Sequence, residues 1–518
     1  MKNAVGRDIP NELLVNGREV FQGNNYLDGK EYKKSGPKVR SCVKPQESKI
    51  AKDIREAIVR CGVKDGMVLS FHHHFRDGDY IVNKVMEEIA SLGIRDITIA
   101  ASSVGTAHDP VAKMIEDGVV TGLQTSGIRG KMGEAVSHGK LKTPVILRSH
   151  GGRVRAIEAG EVHIDVAFIG APSSDEYGNA RGKGGKSDCG VLSYAMVDAK
   201  YADKVVVITD TLLPFPNFPP SIEAVDVDYV VVVDQIGNPK KIASQAARMS
   251  QDPRELIIAE KCAQVMAATP YFKDGYSFQT GAGGPSLAVN RFLEPLMVER
   301  GITMQWAIGG ITQPTVDLLN KGLIRYIVDA QDFDVAAVES VHRHPNHYEI
   351  STSQYANPMS KGAFVNKLDF VVLAALEIDV DFNVNVVTGS DGILIGAPGG
   401  HPDASAGAKC AIIVTPLVRG RIPTVCEKVV TVTTPGESVD VLITEYGIAV
   451  NPRRQDLADA LTAAKIPLTT ITALKEKAYS MLGGAPDDLE FDDQIVAVVE
   501  ARDGTLLDVV RRIKPYAL

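Results

Sequence analysis

Three glycine-rich loops are the first places to look for chemistry in this chain. They are Gly182-Lys183-Gly184-Gly185-Lys186, Gly281-Ala282-Gly283-Gly284-Pro285-Ser286 and Gly396-Ala397-Pro398-Gly399-Gly400-His401-Pro402-Asp403. Glycine lets backbone N–H groups reach an oxyanion, a phosphate or a thioester carbonyl with no Cβ in the way. The same loops also make ordinary tight turns, and the residues alone leave both readings open. None fits the phosphate loop, which needs a glycine and then Gly-Lys-Ser/Thr after a four-residue gap, and none fits Gly-x-Gly-x-x-Gly opening a helix with an acid about 20 residues on. ATP and NAD are therefore poor candidates as ligands.

The run Phe71-His72-His73-His74-Phe75-Arg76-Asp77-Gly78-Asp79 follows a predicted strand. Strand alternation points His72 and His74 to one face and His73 to the other. A metal would need at least three convergent ligands, and no His-Glu-x-x-His or similar spacing supplies them, so no metal site is assigned. The run reads either as an anion-contacting loop built on the imidazoles and Arg76 or as loop packing. Arg148, Arg153 and Arg155 surround Ser149-His150-Gly151-Gly152 just after another strand. Such arginines suit a substrate with several carboxylates; a solvated basic loop is the alternative, as it is for His342-Arg343-His344 and His347. No Gly-x-Ser-x-Gly elbow is present. Cys189 and Cys410 lie near glycine loops but read as small buried apolar residues. Glu445, in Thr444-Glu445-Tyr446-Gly447, ends a strand as either a nucleophilic carboxylate or a loop anchor.

The elements that must position these residues alternate helix and short β-branched strand. Helical spacing of Ile50, Ile54, Ala57 and Ile58 stops at Gly62; Ile81, Val85, Met86, Ile89 and Leu92 mark a second helix. Asp109-Pro110 opens a further helix, with Asp as N-cap and Gly118 near its end. Strands are expected at Met67–Ser70, Ile97–Ala100, Val145–Leu147, Val166–Gly170, Val205–Ile208 and Tyr229–Val233. The second half repeats the style with Phe370–Leu373, Ile393–Ile395, Ala411–Thr415, Val429–Thr433 and Val441–Thr444, and with helices at Arg254–Met266 and Val316–Leu319. Nearly continuous apolar strands belong to parallel sheets covered on both faces, and such sheets bind ligands at the carboxyl ends of their strands.

There is also an internal echo. Ile169-Gly170-Ala171-Pro172 matches Ile395-Gly396-Ala397-Pro398, Lys204–Thr209 resembles Lys428–Thr433, and Val227-Asp228 matches Val439-Asp440. The fold class expected is α/β, with two tandem domains of one type, each a mostly parallel sheet flanked by helices. The boundary falls near Ile236–Gln245, giving residues 1–236 with a surface arm of forty-odd residues (Asn24-Asn25, Lys33-Lys34 and Gly36-Pro37 break any periodicity) and residues 237–518.

Composition agrees and excludes other classes. A chain of 518 residues exceeds the size of one core. Hydrophobic and charged fractions of 44% and 23% are those of a globular protein. Fifty-six basic and 64 acidic side chains give a net charge of −8, which offers no general attraction to nucleic acid or anionic lipid. No apolar run reaches the roughly 20 residues of a membrane span, and Met1–Pro10 carries no signal-peptide core. Six scattered cysteines without a Cys-x-x-Cys pair fit reduced thiols, so a cytoplasmic location is expected.

Taken together, Gly399-Gly400-His401-Pro402-Asp403 and Thr444-Glu445-Tyr446-Gly447 resemble the Gly-Gly-x-x-Asp loop and late Thr-Glu-Tyr/Gln-Gly motif of the acetate and 4-hydroxybutyrate CoA-transferases. Pro172-Ser173-Ser174-Asp175-Glu176-Tyr177-Gly178 resembles their Pro-x-x-Asp-x-x-Gly segment. Phe71–Asp79, Ser149–Asp165 and Ile395–Asp403 more closely resemble the citrate lyase alpha chain family, along essentially the whole chain. That resemblance implies two CoA-transferase domains and a citrate CoA-transferase: citrate replaces acetate on the thioester of an acyl carrier protein, giving citryl-carrier and acetate. It implies a carrier (gamma) subunit and a citryl-lyase (beta) subunit in an oligomer. It also implies no tightly bound cofactor, only a CoA-like phosphoribosyl-dephospho-CoA arm or acetyl-CoA as co-substrate.

One departure bears on mechanism. Related transferases carry a glutamate after a strand of the second domain, yet nothing acidic lies between Thr303 and Thr315, where Met304-Gln305-Trp306-Ala307 stands. Direct exchange within a ternary complex, through a mixed anhydride, is therefore expected. Gly399, Gly400 and Gln305 are the catalytic candidates. His72, His74, Arg76, Arg148 and Arg153 are the candidates for substrate, and Gly283, Gly284, Gly396, Asp403 and Glu445 those for the thioester arm. Two rivals remain at this point: a glutamate-dependent transferase using Glu445, and a scaffold subunit that only docks partners.

Overall fold

Apolar runs bounded by glycine and polar turns become the strands of two large sheets. The computed structural model describes residues 1–24, 33–37, 43–243 and 249–514. In the first sheet β1 (Val68–Phe71), β2 (Ile97–Ala101), β3 (Val120–Thr125), β4 (Val145–Leu147), β5 (Val166–Ala171), β6 (Lys204–Thr209) and β7 (Tyr229–Val232) run parallel in the order β7-β6-β5-β1-β2-β3-β4. In the second, β8 (Ser277–Thr280), β9 (Met304–Ile311), β10 (Ile324–Asp332), β11 (His347–Glu349), β12 (Phe370–Leu373), β13 (Cys410–Val414) and β14 (Val441–Thr444) run parallel in the order β14-β13-β12-β8-β9-β10-β11. Counted from the first strand of each half, the two orders are the same.

The repeat extends to side chains. Asp165 accepts from the Val68 amide at 2.7 Å and Asp369 from the Ser277 amide at 2.9 Å, each at the start of the central strand. Asp228 accepts from Val205 N and Asp440 from Ala411 N, both at 2.7 Å. The Asn179 amide group donates to Asp175, as that of Asn383 donates to Asp379. Of the three sequence echoes, Val227-Asp228 with Val439-Asp440 therefore marks equivalent positions. The other two do not. Lys204–Thr209 is β6, whereas Val429–Thr433 and Ile393–Ile395, both expected as strands, are irregular. Side chains meet amides of both segments instead, as where Ile393 N donates to Asp391 at 3.0 Å and Val432 N donates to Asp508 at 2.8 Å.

Each sheet is buried on both faces. Phe278, Ile412 and Ile443 face one apolar cluster of the second sheet, and Val371, Ile413 and Leu442 face the other. The division at residue 236 does not describe the ends of the chain. β15 (Phe491–Glu500) and β16 (Leu506–Ile513) form an antiparallel hairpin whose first strand pairs with β4, Ala497 opposite Val145. The hairpin thus covers the open edge of the first sheet, not the second. The expected surface arm is also corrected over its described part. Ile9, Val20 and Phe21 are buried, and Ile9 and Val20 pack with Val498 and Leu506; residues 25–32 and 38–42 of the arm lie outside the described residues. Asp109 does not cap a helix. A 3-10 turn, Thr106–Val111, precedes the short helix Ala112–Glu116, and Asp109 instead accepts from Lys131 N at 2.8 Å. Cys61, Cys189, Cys262, Cys410 and Cys426 are buried; Cys42 is outside the described residues. No helix among the described residues is long and apolar enough to cross a membrane.

Candidate active site

The carboxyl ends of the two sheets face each other across a cavity of about 380 Å³. The first half reaches it from the loops after β1, β2, β3 and β4, which carry His73, Arg76, Ser103, Arg129 and His150. The second half reaches it from the ends of β8, β9, β10 and β12, with Gln279, Gly281–Gly283, Gly309, Gly310, Gln331 and Leu373. The loop 394–400 closes the gap between them. Ser137 Oγ accepts from Leu394 N at 2.9 Å, Ile128 N donates to Gly396 O at 2.9 Å, Gly399 N to Ser126 O at 3.1 Å, and His150 N to Gly399 O at 2.8 Å.

An aromatic and imidazole wall forms one side. The rings of His73 and His150 stack with centroids 5.6 Å apart, and the Tyr194 ring lies 4.5 Å and 4.8 Å from them. Ser102 Oγ engages His73 Nδ1 at 2.6 Å, and His150 Nδ1 has no hydrogen-bond partner among the described residues. Gln331 joins the wall to β10: its Oε1 accepts from Tyr194 Oη and its Nε2 donates to His73 O, both at 3.3 Å. Burial pushes the pKa of His150 down to about 3, with Arg153 adding to the effect, and burial also holds His73 well below the ordinary histidine value. Both imidazoles are neutral near pH 7, so they offer hydrogen bonds and no charge.

Positive charge comes from elsewhere. The Arg76 guanidinium lies 4.1 Å from the centroid of the Phe333 ring; burial lowers its pKa only to about 10, so it stays charged. Arg76 Nε has no hydrogen-bond partner among the described residues. Arg129 sits exposed at the rim as N-cap of α1 (Gly130–Ser137). The helices α2 (His150–Glu158) and α3 (Gly284–Arg300) also begin at the cavity, where unsatisfied amides and the helix dipole favour an anion. The amides of Ala282, Gly283, Gly284 and Gly400 have no protein acceptor among the described residues. Asp77 is the one acidic residue among those lining the cavity. The arrangement suits a small polyanion beside a polarised carbonyl.

Comparison with known proteins agrees with this geometry. A family model described as "Citrate lyase, alpha subunit" matches residues 47–513. The citrate lyase alpha chain of Haemophilus influenzae is 53% identical over 469 residues, covering 90% of this chain and 94% of that protein. That of Escherichia coli K12 is 53% identical over 471 residues, covering 91% and 92%. The chain belongs to the citrate lyase alpha subunit family. A crystal structure of a citrate lyase alpha subunit from Streptococcus mutans in complex with citrate superposes with a TM-score of 0.96 at 52% identity, covering 99% of this chain and 100% of that one. The malonate decarboxylase alpha subunit of Acinetobacter baumannii, at TM-score 0.62 and 14% identity over 84% of this chain and 88% of that one, shares the fold.

Within this citrate lyase alpha-type structure, the residues singled out from sequence divide sharply. Arg76, Gly283, Gly399 and Gly400 line the cavity. Gly399 is nevertheless corrected as an oxyanion donor, because its N–H is spent on Ser126 O. Gln305 is corrected outright: it lies near the start of β9 and accepts from Arg325 at 3.0 Å, whereas Gly309 and Gly310 near the other end face the cavity. Four residues of strand put it about 13 Å away along the chain. His72 pairs with Asp198 at 3.0 Å, and Arg153 grips the same carboxylate at 2.6 Å. Burial works against the charge of Asp198, but Arg153 and His72 still hold it well below the usual carboxylate range. His74 points away to Gly170 O at 2.8 Å. Arg148 is bound by both oxygens of Glu500 and by Gln124. These four are buried fastenings, not cavity residues.

Among the arm candidates, Gly396 is pressed against Val386 O, where a Cβ would collide, and Gly284 starts α3 behind the cavity wall. Asp403 is a buried lock between the halves. It accepts from Ser149 Oγ at 2.8 Å, Gly151 N at 2.8 Å and Arg502 Nε at 3.0 Å. Glu445 accepts from Leu417 N at 2.8 Å and is not among the cavity residues. Sequence reasoning missed His73, Arg129, His150, Tyr194, Gln279 and Gln331 as wall residues. For His73 the signal was there: His72 and His74 do share a face, with parallel rings 6.2 Å apart, but the cavity is on the other one.

Proposed function

We propose that this cavity holds citrate beside the acetyl thioester of a carrier arm and exchanges the two acyl partners directly. The observation that carries the reading is the composition of the wall. It offers fixed cations in Arg76 and Arg129, neutral imidazoles, open amides at Ala282, Gly283 and Gly400, and no glutamate or cysteine among the described residues that line it. The chemistry then needs no enzyme nucleophile. A citrate carboxylate oxygen attacks the acetyl carbonyl, the C–S bond breaks, and a citryl–acetyl anhydride forms with a free thiolate. The thiolate attacks the citryl carbonyl and acetate leaves with the anhydride oxygen, so charge and atoms balance. The protein contributes positioning and oxyanion stabilisation. Arg76 and Arg129 orient the carboxylates, and the open amides meet the carbonyl oxygen where charge develops. The Streptococcus mutans relative crystallised with citrate supports the choice of acid.

The thioester is carried by the phosphoribosyl-dephospho-CoA arm of an acyl carrier subunit, with acetyl-CoA able to substitute. A beta subunit cleaves the citryl product, and the chain works in the cytoplasm as part of that oligomer, without a tightly bound cofactor. Exchange of labelled acetate is the test, with acetyl-CoA as donor and citrate, citramalate, malate and tricarballylate as acceptors. Citrate-dependent release of labelled acetate by the isolated chain supports the reading. No release with any acid would leave a docking subunit instead.

A further inference from the structure

Behind the cavity wall lies a cluster of buried acids that the reaction does not use. β10 carries one residue more than its partner: Gly309 of β9 pairs with Asp329, but Gly310 pairs with Gln331. A bulge of this kind turns successive side chains to one face. Ala330 and Gln331 accordingly both line the cavity, and Asp329 and Asp332 meet on the opposite side. There His347 of β11 joins them, and one ligand atom from each of the three lies within 4.8 Å of the others.

The surroundings are those of a ligand cage. Asp332 is 2% exposed, and among the described residues neither of its carboxylate oxygens accepts from an N–H or hydroxyl donor. The nearby Asp334 and Glu349 are satisfied by neutral donors: Ala337 N and Gln313 N for the first, Leu192 N and Ser221 Oγ for the second. Asp332 accepts from no such donor among the described residues, and its carboxylate meets that of Asp329 instead. His347 Nδ1 is held by Ser340 Oγ at 2.8 Å, which aims Nε2 into the cluster, 3.1 Å from Asp329. This is how an outer partner orients a metal-binding imidazole. The backbone of Gly190 roofs the pocket, where any Cβ would strike the Asp332 carboxylate. A buried carboxylate must be paired, protonated or bound to a cation.

We propose that Asp329, Asp332 and His347 form a divalent-cation site. Two carboxylates and one imidazole suit an ion of intermediate hardness, Mn²⁺ or Zn²⁺. The bound ion fixes the end of β10 and, through the bulge, the cavity residues Gln331 and Phe333. The site stands apart from the reaction assigned to the cavity, so its test reads binding and not turnover.

The full chain, stripped with chelator and dialysed, is titrated with MnCl₂, following free Mn²⁺ by electron paramagnetic resonance, and with ZnCl₂ by calorimetry. One equivalent per chain is expected, weakened at least tenfold in Asp332→Asn and in His347→Gln, and raising Tm only where it binds. His163→Ala, which removes the exposed His163, Asp165 and Asp203 group, should leave that equivalent in place. Either of two results overturns the proposal. One is a bound equivalent unaffected by both cluster variants. The other is no saturable binding of either ion, with Asp332→Asn as stable as the parent, which would assign the pocket to a proton shared by Asp329 and Asp332.

Discussion

The two halves of the molecule share seven strands in one order and the same aspartate clamps at Asp165 and Asp369 and at Asp228 and Asp440. They differ at the carboxyl ends of those strands. The first half brings the cations and the imidazole wall to the cavity, as His73, Arg76, Arg129, His150 and Tyr194; the second brings glycines and amides, as Gly281–Gly283, Gly309, Gly310 and Gly400, beside the rings of Phe333, Tyr355 and His401. Duplication has kept the hydrogen bonds that fix the scaffold and let the strand ends specialise. On the reading proposed above, one half grips the anion and the other approaches the carbonyl closely.

The most severe way to break this contrast is to remove the grip of the first half. Arg76→Ala should lower citrate-dependent exchange by about 10²- to 10³-fold, the loss of a charge-assisted bidentate contact of roughly 3–4 kcal/mol, with most of the effect in KM for citrate. Steady-state kinetics with citrate varied at saturating acetyl-CoA checks it.

Changing the second half should act on rate and not on citrate. A Cβ at Gly400 would strike the Tyr355 hydroxyl, to which Gln279 donates at 2.8 Å. Gly400→Ala should therefore cut kcat by about 10- to 100-fold, the scale of a disturbed oxyanion site, with KM for citrate within a factor of about three. Equal losses from both variants in both parameters would erase the division of labour between the halves.

The seam between the halves is the next target. Asp403 joins Ser149 and Gly151 of the first half and Arg502 of the terminal hairpin. Asp403→Ala leaves the buried Arg502 charge without this partner and should cost about 3–5 kcal/mol, read from denaturant midpoints.

A smaller effect concerns pH. His73, His150 and His401 are held neutral by burial, the last two down to about 3 and about 4. As pH falls below about 6.5 the unfolded chain gains these protons first, so stability drops as pH falls through that window and is full above it, by up to about 1.4 kcal/mol per pH unit per histidine. His150→Gln should flatten the slope between pH 6 and 4 by that share. Smallest of all, Glu445→Gln should change exchange less than about threefold, because Glu445 secures Leu417 outside the cavity.

Much of the scaffold was legible in the residues. β4 and β12 fall at Val145–Leu147 and Phe370–Leu373, as their apolar runs predict, and Val227-Asp228 with Val439-Asp440 reported the repeat. The tail was not legible, because pairing of β15 with β4 joins residues some 350 apart in the chain and depends on an edge being open. At the site, motif position found Arg76, Gly283 and Gly400. It could not tell cavity arginines from locking ones: Arg148 and Arg153 have the same spacing and chemistry as binders, but Glu500 and Asp198 consume them. Likewise alternation separated His73 from His72 and His74, yet nothing in the sequence said which face the second half would cover.

The proposed exchange across the two halves forms no covalent enzyme intermediate, whereas a glutamate-dependent route expels acetate and leaves the thiol on the enzyme as a glutamyl thioester. The two are told apart by incubating the chain with acetyl-CoA labelled separately in its acetyl group and in its CoA moiety, denaturing, and counting both labels on the protein before and after hydroxylamine. Neither label should remain on the chain, and labelled acetate should be released only when citrate is present. About one hydroxylamine-labile CoA or acetyl group per chain, formed without citrate, would contradict direct exchange.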